Sequence, residues 1–172
     1  MNRKTRWITE TGIMLALLVI LQAVTKSAGQ LVTGSCVNAV LAVSVLVAGL
    51  PSGLTVALVS PFVAFLFGIG PQLLPIVPAI ALGNAVYVLV LGTLGGGKTV
   101  IRKALAWLCA AVAKFAVLHL VVVRILCSVL PLKQPQIDNF SVMFTWPQLT
   151  TALVGGAVAL LIVPVIHRAL KR

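Results

Sequence analysis

The sequence predicts an all-α membrane protein with six transmembrane helices and both termini in the cytoplasm. Three observations carry that prediction. Charged residues make up 9% of the 172-residue chain and hydrophobic residues 60%, whereas soluble domains carry roughly a quarter charged residues. The apolar residues gather into six stretches, each near the ~20 residues that cross a bilayer as a helix. The basic residues fall mostly between those stretches, on one side of the implied membrane.

Taken in order, the spans are residues 7–25, 32–50, 53–69, 73–92, 104–130 and 147–166, all within one integral membrane domain covering residues 1–172. Residues 13–21 and 153–166 lack the alternation of polar and apolar positions that a barrel strand would show. The first span is longer than a typical signal-peptide core and has no small-residue cleavage site after it, so it is expected to remain as the first helix. Leu50-Pro51-Ser52-Gly53 is expected to form a tight hairpin between spans two and three. Pro71, Pro75 and Pro78 should make the start of span four irregular, as is tolerated where backbone lines a cavity. Pro61 and Pro164 are potential kinks in spans three and six. The stretch 131–146 is the one long connection.

Orientation follows from charge. Arg3, Lys4 and Arg6 precede span one; Lys98, Arg102 and Lys103 separate spans four and five; Arg168, Lys171 and Arg172 follow span six. The opposite side receives only Lys26 and Lys133, while Lys114 and Arg124 lie inside span five. This bias is the positive-inside pattern. It places 131–146 outside and makes the net charge of +11 a topology signal facing anionic lipid headgroups, not a nucleic-acid surface.

Several chemistries are excluded by what is missing. Gly92-Thr93-Leu94-Gly95-Gly96-Gly97-Lys98-Thr99 fits the spacing of a phosphate-binding loop. That chemistry needs an acidic residue to hold Mg²⁺, and the only acids are Glu10 and Asp138, the latter across the membrane. The stretch therefore reads as a cytoplasmic loop ending a helix. Ser35 and His119 sit in no recognisable nucleophile context. Two His and two acids, far apart, give no metal set. Cys36, Cys109 and Cys127 have no ligand spacing and read as small core residues. No enzyme, cofactor or metal site is expected.

Polar groups inside the membrane remain, and these default to functional hypotheses. Gln22 and Lys26 lie one turn apart on span one, Gly34 and Asn38 on span two, Asn84 and Tyr87 on span four, and Gln148, Thr151 and Gly155 along span six. Singly, each is explained by an interhelical hydrogen bond. Their concentration toward the outer end favours a cavity open to the outside. The 131–146 stretch, with Gln134, Gln136, Asp138, Asn139, Phe140 and Trp146, would be its lid. On span five, Lys114, His119 and Arg124 do not share one helical face. Lys114, far from both ends, pairs either with Glu10 or with backbone carbonyls. Arg124 either snorkels to the interface or meets a ligand. The cationic balance of Lys26, His119 and Arg124 against Asp138 points to an anionic ligand held by amides of Asn38, Asn84 and Gln148. Gly12 and Ala16 on span one form a small-x-x-x-small pair that serves either internal packing or docking to a partner.

Thr11-Gly12 with Leu15-Ala16-Leu17, Val32-Thr33-Gly34-Ser35 followed by Val37-Asn38-Ala39, Ser60-Pro61, Pro78 with Gly83-Asn84, and Trp146-Pro147-Gln148-Leu149 with Ala152 and Gly155 resemble the substrate-binding (S) components of energy-coupling-factor transporters. The resemblance implies a plasma-membrane subunit of a prokaryote that captures a vitamin-like micronutrient from outside. It also implies association with a transmembrane coupling protein and two ATPase subunits. Gly12 stands where that family usually has the first Ala of its docking pair. The rival readings are a small stand-alone secondary transporter or channel, which would be expected to carry a deep ion-coupling acid, and a ligand-free assembly factor.

Overall fold

Helix α1 spans Arg3–Thr25 in the computed structural model, which describes residues 2–97 and 99–170. Lys98, Lys171 and Arg172, counted above among the cytoplasmic charges, lie outside the described residues. After a 3-10 turn at Lys26–Ala28, α2 runs Gln30–Val43 and widens into a π-helical stretch, Ser44–Ala48. Helix α3 is Leu50–Leu66 and α4 is Ile76–Leu94. Helix α5, Val100–Leu118, continues through a π-helical segment, His119–Leu126, to a last turn at Cys127–Val129. Short α6, Gln134–Met143, precedes α7, Trp146–Ala169. Among the described residues there is no strand. Five helical segments are long and apolar enough to cross a membrane, and α3, at 17 residues, is a shorter apolar helix. The protein is an all-α membrane protein.

Three local expectations are corrected. The turn between spans two and three sits at Gly49, not at Leu50–Gly53. Gly49 has φ 91°, open to a residue without Cβ, and Pro51 falls in the first turn of α3, where its missing N–H is harmless. Helix α3 therefore starts and ends about one turn earlier than expected, and the irregular segment before α4 is correspondingly longer. The 131–146 connection is not an extended loop: Pro135 opens α6, whose start is closed by the Lys133 amide donating to Gln136 Oε1 at 3.0 Å. The cysteines do not all enter the core: Cys127 is buried, Cys36 half-buried and Cys109 exposed.

The six long helices close into a ring. Helix α1 packs on α2 and α3, α2 on α7, α7 on α5, α5 on α4, and α4 on α3. One residue from each shows how the inner faces meet: Leu18, Leu41, Val56, Val88, Ala110 and Ala152 are all buried in one apolar cluster. The outward faces are apolar too, with Ile13, Leu66, Leu105 and Leu161 exposed. That inversion suits hydrocarbon as solvent, where association rests on close packing of small residues. The α2–α7 seam is one such close approach, backbone against backbone. A Cβ on Gly155 would overlap the Ser35 carbonyl oxygen and lie 2.7 Å from the Ala39 amide nitrogen. At one end of the ring α6 seats Phe140, with Phe144 just beyond it, on Ile76, Leu118 and Val122 of α4 and α5.

Candidate functional site

The ring encloses a cavity of about 680 Å³ beneath α6, within the size range of small-molecule sites. Its mouth is built from the end of α1, the start of α2, the irregular segment 69–73, and α6. The non-helical backbone falls at the cavity rim, where it can be accommodated. Apolar walls come from Pro61, Phe65, Val77, Ile80, Phe140 and Phe144.

Lys114 lies at the depth of mid-helix residues Asn38 and Asn84 and is 3% exposed. Its Nζ donates to Asn38 Oδ1 at 2.6 Å and to Asn84 Oδ1 at 2.7 Å, and lies 5.6 Å from the centroid of the Tyr87 ring. An ammonium has three donors; two are used by amide oxygens, and the side chain lines the cavity. Asn38 is held in register by donating to the Gly34 carbonyl at 2.9 Å and to Thr151 Oγ1 at 3.2 Å. Thr151 in turn donates to the Gln148 carbonyl at 3.1 Å. The chain's two acids are engaged elsewhere. Glu10 accepts from Arg6 at 3.0 Å, and Asp138 accepts from Gln134 at 3.0 Å. Lys114 thus pairs neither with Glu10 nor with backbone carbonyls, and its formal charge meets neutral amides and an aromatic face.

Of the residues expected from sequence, Gln22, Lys26, Asn38, Asn84 and Gln148 line the cavity. Lys26, at the rim, donates to the Gly68 carbonyl at 2.7 Å. The other five lie outside its lining. Thr151 and Tyr87 stand behind the wall, the first orienting Asn38 and the second beneath Lys114 with its hydroxyl donating to the Ala152 carbonyl at 3.4 Å. His119 stacks on Phe115 at 5.9 Å between centroids, and Phe115 stacks on Trp146 at 6.2 Å, away from the cavity. Arg124, within the π-helical stretch, is exposed.

Sequence reasoning left Lys114 out of the binding set, although its position far from both helix ends was the signal. It also missed Gln30, Thr33, Ser60 and Gln72, all on the lining. Gln30 Nε2 donates to the Met143 carbonyl at 2.7 Å and Gln148 Nε2 to the same oxygen at 3.3 Å, so the end of α6 is clipped to both α2 and α7. On α1, Gly12 and Ala16 are exposed, and a Cβ on Gly12 would meet nothing within 4 Å. Internal packing is therefore not their role in the isolated chain.

A closed helical ring, apolar outside and enclosing a polar-floored cavity at one end, defines a membrane-embedded subunit that binds a small molecule. The family model described as "ECF transporter, substrate-specific component" matches residues 6–167. The chain belongs to that family: it is the substrate-specific component of an energy-coupling-factor transporter. No curated protein and no solved structure matches the chain.

Proposed function

We infer that this protein captures a vitamin-sized anionic micronutrient from outside a prokaryotic cell and hands it to an energy-coupling module for uptake. The observation that carries the reading is Lys114: a buried ammonium with one donor to spare and, among the described residues, no carboxylate paired with it, set in the lining of a ligand-sized cavity. Burying an unpaired charge is costly. A ligand carboxylate or phosphate would offset that cost through a charge-assisted hydrogen bond. The amides of Asn38, Asn84, Gln22 and Gln148 orient the rest of the ligand, and α6 covers it.

The positive-inside charge bias supports an orientation with both termini in the cytoplasm and the cavity mouth outside. Cysteine labelling in intact cells checks it, in a background lacking Cys36, Cys109 and Cys127. Asn139→Cys, on α6, is expected to react rapidly and Gly96→Cys to be protected; the reverse pattern inverts the topology.

The energy source is proposed to be separate: a transmembrane coupling protein and two ATPases. Gly12 and Ala16, exposed on α1, offer a notch for close helix approach to that coupling protein. Co-purification of the wild-type chain with the coupling module, and native mass spectrometry for a retained anionic small molecule, test the reading directly. Gly12→Trp or Ala16→Trp is expected to reduce association at least about tenfold while leaving ligand capture intact, since the cavity is lined by the other end of α1. Loss of both activities together would assign the pair a folding role instead. A retained ligand that is cationic would overturn the anionic assignment.

A further inference from the structure

The Lys114 site accounts for one end of a ligand; two residues elsewhere in the cavity lining carry buried atoms that ask for something different, within a side-chain turn of the cavity. Among the described residues, three buried side-chain polar atoms have no hydrogen-bond partner: Gln22 Oε1, Ser60 Oγ and His119 Nδ1. The first two belong to residues that line the same cavity. Gln22 is on α1 and Ser60 on α3, helices that pack on each other. In the ring order α1–α2–α7–α5–α4–α3, that pair stands across from α5, which carries Lys114.

Ser60 departs from the rule this chain follows elsewhere. Many hydroxyls on its helices donate to the carbonyl one turn back, as Ser35, Ser44, Thr55 and Thr93 do at 2.7, 2.7, 2.9 and 2.7 Å, and buried Ser52 is met by the Thr11 hydroxyl at 2.8 Å. Buried polar atoms left without any partner are rare and call for a cause. Ser60 is 1% exposed and has neither that back-bond nor another. An amide oxygen accepts only, and a hydroxyl oxygen accepts as well as donates. The partner both would share is a donor.

Resting on the anionic reading above, the geometry points to a ligand with two polar ends: an anionic group on Lys114, and an N–H or O–H donor taken by Gln22 Oε1 and Ser60 Oγ at the α1–α3 wall. The apolar faces of Pro61, Phe65 and Ile80 fit a flat or aliphatic body between them. A plain fatty or aromatic carboxylate would leave the α1–α3 wall unsatisfied and is selected against, because a site built to hydrogen-bond a group discriminates strongly against analogues lacking it.

The test uses purified protein and matched aryl carboxylates carrying an amino, a hydroxyl or a methyl group at the end far from the carboxylate. Binding is read by calorimetry and by ligand-induced thermal shift. The amino and hydroxyl compounds are expected to bind about tenfold more tightly than the methyl compound, the scale of one or two neutral hydrogen bonds. Ser60→Ala and Gln22→Leu should each shrink that preference while leaving methyl-compound affinity unchanged or improved. Ser60→Ala should leave the melting temperature of the ligand-free protein unchanged or raised, because it removes an unsatisfied hydroxyl; a structural hydroxyl would lower it. Carboxylates binding without preference for the donor overturn this inference and leave the anionic reading standing. Absence of binding by every carboxylate and by the matching aryl phosphates, whatever the far end, overturns the anionic reading itself.

Discussion

Lys114→Met is expected to weaken binding of an anionic ligand by about 1.5–3 kcal/mol, the worth of a hydrogen bond to a charged group, without unfolding the protein. Methionine keeps the length and apolar stem and removes the ammonium. Removing the ammonium gives back the cost of burying an unpaired charge, while Asn38 Oδ1 and Asn84 Oδ1 each lose a donor. The two effects oppose, so the melting temperature of the ligand-free protein should change little while affinity falls roughly 10- to 150-fold. Asn84→Leu should instead lower stability as well as affinity. It takes away the acceptor at 2.7 Å from Nζ and leaves a buried donor unmet, which costs about 1–3 kcal/mol or more of stability. Measuring both quantities for both variants separates a cation placed for a ligand from one placed for the fold. A Lys114→Met protein that unfolds, or that binds its anion as tightly as wild type, would remove Lys114 from the site.

The second large effect is expected at Gly155. Gly→Ala inside a helix is ordinarily favourable by up to about 1 kcal/mol. Here the added Cβ would overlap the Ser35 carbonyl oxygen and lie 2.7 Å from both the Ala39 nitrogen and Asn38 Cβ. Backbone atoms cannot swing aside as a side-chain tip can, so the α2–α7 seam must open. Overpacking of this kind costs typically about 1–3 kcal/mol, and the displaced Asn38 would carry the Lys114 contact with it. Gly155→Ala should thus lose thermal stability and ligand affinity together. Gly12→Ala is the matched control: with nothing within 4 Å of the new methyl, it should be neutral or slightly stabilising. Equal behaviour of the two variants would contradict the close approach at Gly155.

Class, helix count and the depth of the cavity were legible in the sequence because each depends on a one-dimensional signal. Apolar runs give spans, and basic clusters give a side. Gln22, Asn38, Asn84 and Gln148 could be placed at one depth by counting along their helices. What could not be read was which helices are neighbours. Lys114 is 76 residues from Asn38 and 30 from Asn84, and nothing in their local sequence brings them together; only the ring does. The same holds for Thr151, whose role is to hold Asn38 across α2–α7. Arg124 was a candidate by charge, not by position: counting along span five already puts it off the face of Lys114, and its side chain is exposed. The hairpin was misplaced because Pro51 is a turn former by composition and a helix starter by position. Ser60 stood in the sequence only as part of the Ser60-Pro61 resemblance and not as a binding candidate, since an unsatisfied hydroxyl is visible only when its surroundings are known.

The order of helices around the ring also bears on how the protein is made. Helix α2 emerges early, yet the surface it fits best, the Gly155 notch with Thr151 beside it, belongs to α7, the last of these six long helices to leave the ribosome. Asn38 and Thr151 are 113 residues apart, which at ~5–20 residues per second is roughly 6–23 s of translation. For that interval the polar face of α2 must rest against α1, lipid or the insertion machinery, and the ring stays open on the side where α7 will enter. Assembly of the ring therefore ends with closure, not with stepwise stacking: a nascent chain stalled before Trp146 would hold five long helices in the bilayer without a finished binding chamber, and Asn38 without its Thr151 partner.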